Sequence, residues 1–366
     1  MPVSPDDGAR LTQRIAELYA DAELALLTLI SSSLVRGIDA PDWAMVKLGE
    51  LRLIRGRVER ELAALDVAAA VAVRSIIDRA YTTGAAQAIG DLTRAGITAD
   101  ALPPALSYAV ERLARETLAN LAQARPMALR STLDIYQRTV ADATGTILTG
   151  AQTRIQAAQQ ALDRWASRGI TGVRDQAGRN WSLESYAEMA VRSAAGRAAV
   201  LGHVEHLQAN GLDLVIVSDS PRECPLCRPY EGKVLSLSGG VAGSITAPSA
   251  LDGQPTSVTV YSSLADAQAN GLFHPNCRHR LGLFLPGATA ETATSNPAGY
   301  EAEQRQRAIE RNIRLWKQRQ ATALDDTASR TAGRKVRAWQ AQMRDFLDAN
   351  PDLRRKYSRE QIGQAH

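Results

Sequence analysis

The feature that most constrains this chain is the placement of its cysteines, because all three lie in two short pieces some fifty residues apart. The first piece is Cys224-Pro225-Leu226-Cys227, and the second is His274-Pro275-Asn276-Cys277-Arg278-His279. Zn²⁺ prefers four sulfur and nitrogen ligands at the corners of a tetrahedron. The pattern therefore predicts a structural zinc site in which Cys224, Cys227 and Cys277 bind the ion together with one histidine.

Two histidines compete for the fourth position of this predicted site. His274 precedes Cys277 at the same spacing as the first cysteine pair, whereas His279 follows Cys277 after one residue. The shorter spacing works where the chain is extended and both side chains point to one face. We favour His279 slightly and keep His274 as the alternative. A site closed by four protein ligands leaves no position for water, which favours a role in folding over catalysis.

A Cys-x-x-Cys pair can instead be a redox pair or two buried thiols without a metal. A redox pair usually opens a helix after a strand. Here Pro225 lies inside the pair and Arg228-Pro229 follows it, which indicates a turn. The redox interpretation is therefore the weakest, and unliganded buried thiols remain an alternative to zinc.

Composition favours a helical protein in a reducing compartment. The chain has 366 residues, enough for roughly two or three domains, and is 45% hydrophobic but only 5% aromatic, with abundant alanine. Such a composition is typical of helices packed through small side chains. Three cysteines do not make a secreted disulfide framework. The start of the chain lacks the pattern of a signal peptide, and we expect no membrane span, because no stretch reaches about 20 apolar residues.

Apolar periodicity and breaks divide the chain into three predicted segments. Residues 1–169 form an extended body of helices, with helices expected at 8–36, 43–65, 67–89, 105–124 and 127–168. Residues 170–295 hold one helix and a small α+β module, which we expect the zinc ion to hold together. Residues 296–366 form a C-terminal helical hairpin. The predicted fold is thus mainly α with a small α+β zinc-stapled module.

Within the middle segment, Ser182 is a predicted cap for a helix that runs to about Asn210. Strands are expected at 214–217, 233–236 and 257–261, with a surface loop over 238–256 and a short helix at 264–269. The helix carries His203-Val204-Glu205-His206, whose histidine spacing does not match a metalloprotease motif. We interpret these side chains as an ordinary polar face of the helix.

The C-terminal segment is basic. Residues 301–366 contain 15 Lys and Arg against 9 Asp and Glu, although the whole chain carries only +4. Two helices are expected, the first with Ile309, Ile313 and Trp316 on its apolar stripe and the second at about 329–348. A basic helical pair can contact nucleic-acid phosphates without reading sequence. The alternative is a solvated hairpin that packs on the zinc module or on a partner protein.

Several motifs in this chain occur in an order that resembles the tailed-phage minor capsid protein family, which is related to the Mu-like head morphogenesis proteins. They are Ala177-Gly178-Arg179-Asn180-Trp181-Ser182-Leu183-Glu184-Ser185-Tyr186-Ala187-Glu188-Met189, Leu212-Asp213-Leu214-Val215, Tyr230-Glu231-Gly232-Lys233-Val234, Asn276-Cys277-Arg278-His279-Arg280, Pro286-Gly287, and the run with Gln304, Arg305, Glu310, Arg311, Arg314 and Lys317. The resemblance covers roughly residues 170–366, and residues 1–169 match only in being helical.

This resemblance implies a structural virion protein, present in few but multiple copies in the phage head near the portal. Its expected partners are the portal protein and the major capsid protein, with packaged DNA as a further candidate partner of the basic C-terminal helices. It implies a role in head assembly and DNA packaging or delivery, with host cytoplasm as its location during assembly, and no catalytic activity. In the family the positions matching Cys277 and His279 recur, which favours His279 as the ligand.

Two functions of other classes compete with this hypothesis. A metal-dependent nuclease would need a metal with an open position and a nearby general base, for which Asp219, Glu223 and His274 are the available side chains. A cytoplasmic zinc module would bind nucleic acid through the basic tail. The small net charge of +4 argues against the second alternative.

Overall fold

A computed structural model describes most of the chain, which is mainly helical with a small sheet region. The described residues are 11–98, 107–147, 152–167, 169–174, 178, 180–220, 222–274, 277, 279–289 and 294–363. The helices are α1 (Gln13–Val35), α2 (Trp43–Gly49), α3 (Leu51–Arg94), α4 (Ser107–Ala122), α5 (Ala124–Ile147), α6 (Arg154–Trp165), α7 (Leu183–Ala209), α8 (Leu264–Ala269), α9 (Pro297–Ala321) and α10 (Asp326–Asp348). The strands are β1 (Thr171–Arg174), β2 (Asn180–Ser182), β3 (Leu214–Val217), β4 (Val234–Ser236), β5 (Gly243–Pro248), β6 (Pro255–Ser263) and β7 (Leu281–Leu283).

The chain folds into two compact units, and each unit is built from separate stretches of sequence. The first unit comprises Met1–Arg14, Val71–Leu118 and Glu188–Glu301, and the second comprises Ile15–Ala70, Ala119–Ala187 and Ala302–His366. Helices α1, α3, α4, α7 and α9 each have residues in both units. These units do not coincide with the three consecutive segments expected from the sequence, 1–169, 170–295 and 296–366. The division into three segments stays a prediction.

In the first unit, a five-stranded sheet has the order β5-β6-β4-β3-β7. Only the β4–β6 pair is parallel, and the other neighbours are antiparallel. One hydrophobic cluster of the sheet contains Val234, Val258, Val260 and Phe284, with partly buried residues around them. Strands β3, β4 and β7 bury further apolar side chains, namely Val215, Val217, Leu235 and Leu281.

Helices α3 and α7 approach each other closely within the first unit because glycines occupy the crossing. A methyl group at Gly84 would overlap the carbonyl oxygen of Ala199, and one at Gly202 would overlap the carbonyl oxygen of Tyr81. Further along α3, Asp91 accepts a hydrogen bond from His203 Nε2 of α7 at 3.0 Å. Backbone contact at two points and a buried polar pair therefore fix how the two helices pack.

In the second unit, a buried carboxylate of α1 holds the chain at the β1–β2 hairpin. Glu23 accepts hydrogen bonds from the backbone N–H groups of Ile170 at 3.1 Å and Glu184 at 3.3 Å. Burial, together with the negative charge of Glu184, raises the pKa of Glu23 to about 8. Gly169 lies against this carboxylate with a positive φ of 70°, where a side chain would overlap it.

The C-terminal helices form the predicted hairpin. Ile309, Ile313 and Met343 make its core, and Trp339, Phe346 and Leu347 pack against them, which confirms the expected apolar stripes. The second helix begins a few residues earlier than expected, because Asp325 caps it by accepting a hydrogen bond from the N–H of Ala328 at 2.7 Å.

Three local predictions are wrong. The helix expected at 43–65 is interrupted at Glu50, so that α2 is short, whereas α3 runs without a break through residues 67–89, where the helix was expected to continue, to Arg94. The helix expected at 127–168 is two helices, because Thr153 forms a capping box with Gln156 that starts α6. The loop expected at 238–256 contains β5, which pairs with β6 along its whole length. The Pro103-Pro104 break lies outside the described residues.

One helix differs from the expectation that no stretch of the chain is apolar enough for a membrane span. Helix α1 is long and apolar enough to cross a membrane by length and composition. However, 56% of its most apolar window is buried inside the protein, as expected for a core helix, so its composition is weak evidence for a membrane.

Replacing Gly84 with Ala should destabilise the protein by roughly 3 kcal/mol or more, because the new methyl group meets backbone atoms that cannot rotate away. Gly90→Ala, in the same helix, is the matched control. There the methyl group meets only the end of the Arg94 side chain at 3.6 Å, and the change should stabilise the helix by about 0.5 to 1 kcal/mol. Urea denaturation followed by circular dichroism measures both, and equal midpoints for the two variants would contradict the packing argument.

Candidate metal centre

Pairing of β3 with β7 brings the two cysteine-containing pieces together. The strands are antiparallel, and Val217 at the end of β3 is opposite Leu281 at the start of β7. The chain beyond β3 leads into the first piece, and the chain before β7 is the second piece. Ser218 and Arg280 extend the contact, since the N–H of Ser218 donates to the carbonyl oxygen of Arg280 at 2.9 Å.

All five predicted ligands lie in this cluster. Their potential ligand atoms form two overlapping groups, Cys224, Cys227 and His274, and Cys227, Cys277 and His279, each with mutual distances within 4.8 Å. Cys227, Cys277 and His279 are buried, and Cys224 and His274 are partly exposed. Such a group of thiols and imidazoles can hold a metal ion.

The first piece forms a tight turn, as its prolines indicated. The N–H groups of Cys227 and Arg228 donate to the carbonyl oxygen of Cys224 at 3.2 and 3.1 Å, and a single 3-10 turn follows over Arg228–Tyr230. No helix begins at this pair, which disfavours the redox interpretation.

The distances are close to those of a tetrahedral site. With bonds of about 2.3 Å to sulfur and about 2.0 Å to nitrogen, the ligand atoms of tetrahedral zinc lie roughly 3.5 to 3.8 Å apart. Cys227 Sγ lies 3.4 Å from Cys277 Sγ, and Cys277 Sγ lies 3.4 Å from His279 Nδ1. Cys224 Sγ and His274 Nε2 are 2.7 Å apart, which is closer than two ligands of one ion. The geometry of His279 thus fits a shared ion better.

The three thiols share protons unequally. A hydrogen bond with Cys227, reinforced by His274, lowers the pKa of Cys224 to about 3. A hydrogen bond with Cys227, reinforced by His279, lowers the pKa of Cys277 to about 5. Cys227 lies between them, and its two thiol neighbours raise its own pKa. The lowered pKa values of Cys224 and Cys277 favour the thiolate form, which is the form that binds metals.

Glu231 orients His279. Its Oε1 atom lies 2.6 Å from His279 Nε2 and also accepts a hydrogen bond from the N–H of Ser220 at 3.1 Å. With a proton fixed on Nε2, the Nδ1 atom of His279 is left to face Cys277. Histidines that bind metals commonly donate their other N–H to a carboxylate in this way. Glu231 was not among the predicted site residues, although it lies only four positions after Cys227.

The remaining candidates for catalysis have structural partners. Burial alone would raise the pKa of Glu223, but the N–H of Asn296, the hydroxyl of Ser295 and the Arg228 guanidinium hold it below its usual value. Asp219 accepts a hydrogen bond from the hydroxyl of Thr294 at 2.7 Å. Pro275, Asn276 and Arg278 lie outside the described residues.

The interpretation of His203 and His206 as a polar surface face is wrong. Both side chains are buried, and neither lies in the metal cluster. His203 bonds to Asp91, and His206 Nδ1 bonds to the carbonyl oxygen of Gly202 at 2.8 Å. They are packing residues of α7, since its contact with α3 covers this face.

Comparison with known proteins identifies the family of this chain. The chain matches the family described as Phage minor capsid protein 2 over residues 3–348. The chain belongs to this family. The match includes the N-terminal helices, so the resemblance found in residues 170–366 extends over nearly the whole sequence. Membership makes the protein a structural component of the virion and indicates a structural rather than a catalytic protein.

A curated relative from Lactococcus phage LL-H is named "Structural protein". It is 26% identical over 243 residues, which cover 62% of this chain and 62% of the relative, less than two thirds of that protein's length. No solved structure matches the chain.

Replacing Glu231 with Ala should weaken Zn²⁺ binding by roughly 10- to 100-fold, because His279 loses the carboxylate that fixes its orientation. Titration of the full chain against a competing chelator measures the affinity. Asp213→Ala is the control, since Asp213 bonds Ser236 and Ser238 in the same module without touching the cluster. Equal losses in both variants would contradict a role of Glu231 in orienting a ligand.

Proposed function

We propose that this protein is a minor structural component of the phage head that lies near the portal and takes part in head assembly and in DNA packaging or delivery. Its proposed partners are the portal protein and the major capsid protein, and it is present in several copies per particle. The observation that carries the proposal is the family match over residues 3–348. The relative named as a structural protein supports it.

We also propose that the cluster binds one structural Zn²⁺ through Cys224, Cys227, Cys277 and His279, with His274 as the competing fourth ligand. Support comes from the donor set of thiolates and imidazole, from the 3.4 Å separations, and from the Glu231 contact. When bound, the ion would join the turn after β3 to the chain before β7. This would stabilise the end of the sheet at which these two stretches meet.

A structural role fits the carboxylates near the cluster better than a nuclease does. Glu223 is occupied by Arg228 and Asn296, and Glu231 by His279 and Ser220. A nuclease needs an ion with an open position and a free general base. The proposed four protein ligands would close the position.

The head assignment is tested on purified phage particles. Quantitative mass spectrometry should find the protein in mature heads at far fewer copies than the major capsid protein. Cross-linking of the same particles should join it to the portal protein. Assembly of normal, DNA-filled heads by a phage lacking the gene would overturn the assembly role, and cross-links to tail proteins alone would overturn the location.

The zinc assignment is tested on purified full-length protein. We expect one Zn²⁺ per chain, and chelation or Cys277→Ser should make residues 212–290 sensitive to protease while the N-terminal helices stay resistant. His279→Asn should lose the ion, and the matched His274→Asn should retain it. The opposite result would assign the position to His274, and undiminished protease resistance in Cys277→Ser would remove the structural role of zinc.

A further inference from the structure

The basic residues of the C-terminal hairpin differ in their surroundings. Arg305 and Arg311 of α9 are exposed, whereas Arg314 and Arg319 of the same helix are engaged within their own unit. Arg314 lies 3.8 Å from the buried carboxylate of Glu184, and Arg319 lies 3.7 Å from Asp163 and also donates to its carbonyl oxygen at 3.0 Å. These side chains tie α9 to neighbouring parts of the second unit, so their charge is already balanced.

Helix α10 has a different pattern. Arg330, Arg334, Arg337 and Arg344 are exposed, and they are spaced four, three and seven residues apart. At 3.6 residues per turn, this spacing puts all four on roughly a quarter of the helix circumference. The opposite side carries Val336 and Met343, which are buried. We call these four residues the arginine row.

Nothing in the described part of the chain neutralises the arginine row. Arg334 donates a hydrogen bond to the hydroxyl of Thr331 at 3.2 Å. None of the four guanidinium groups forms an ion pair with a carboxylate of the described residues. From residue 330 to residue 344 the sequence has five basic residues and no acidic one. The acidic residues of the helix, Asp326, Asp345 and Asp348, lie in its first turn and its last turn. The row is therefore a concentrated and unpaired positive surface.

We infer that the arginine row of α10 is a binding surface for the phosphate backbone of double-stranded DNA. The inference deepens the proposed function, because it assigns the contact of a head protein with packaged DNA to one helix face. Arginine forks match phosphate oxygens with two parallel hydrogen bonds. The row extends over about 21 Å at 1.5 Å per residue. Duplex DNA offers about one phosphate charge per 1.7 Å along its axis.

The surroundings of the row favour a duplex over a single strand. Proteins that bind single strands stack bases on exposed aromatic rings. The nearby aromatic residues Trp339 and Phe346 instead pack against the core of the hairpin. The contact would therefore be electrostatic and independent of base sequence, as suits a protein that meets the whole phage genome.

The test uses the full-length protein and two unrelated 30-base-pair duplexes. A variant with Gln at positions 330, 334, 337 and 344 is compared with a control with Gln replacing Arg52, Arg57, Arg60 and Arg74. These four arginines are exposed on α3, so both variants lose the same net charge. Gln is a good helix former, and circular dichroism checks that both variants fold.

The original protein and the control should bind both duplexes equally. Four phosphate contacts give a log–log salt slope of about −3.6, so their affinity should fall about 100-fold between 50 and 200 mM salt. The α10 variant should lose most of its affinity at 50 mM salt and show a slope shallower by about 3 to 4. Equal losses in the two variants would overturn the inference. Absence of DNA binding by the original protein would overturn it as well, and would point to an acidic protein surface as the partner of the arginine row. The location of the protein in the head would still be decided by the experiments on phage particles.

Discussion

The metal cluster depends on one strand pairing. Because β3 and β7 are neighbours and antiparallel, the chain leaving β3 and the chain entering β7 meet at one edge of the sheet. Cys224 and Cys227 come from the first stretch, and Cys277 and His279 from the second. Any change in the β3–β7 register by one residue would turn the side chains over and separate the thiols.

Glu231 links this cluster to the sheet. It follows the turn that begins at Cys227, and it receives hydrogen bonds from both the Ser220 backbone and His279. One carboxylate therefore connects the chain that leads into the first cysteine-containing piece with the second piece. The proposed zinc ion would add coordination bonds between the two pieces.

The two helices of the C-terminal hairpin differ in how their arginines are paired, although both helices contribute to its core. Buried carboxylates such as Glu184 and Glu310 have raised pKa values because of burial, and arginines of their own unit offset part of that cost. The four arginines of the arginine row in α10 do not pair with a carboxylate of the described residues. Net charge over residues 301–366 could not separate the two sets, because it counts paired and unpaired guanidinium groups alike.

The sequence by itself determined the helical character, the strand at Leu214–Val217, the short helix at Leu264–Ala269 and the five candidate ligands, because periodicity and ligand spacing are local properties. The family was visible from motif order alone. Tertiary structure alone decided the role of Glu231, the burial of His203, and which arginines stay unpaired. Each of these depends on residues that are far apart in the chain, and partners of that kind leave no local pattern. The close crossing of α3 and α7 at Gly84 also depends on distant residues, since the sequence around Gly84 does not reveal that the backbone of α7 packs against it.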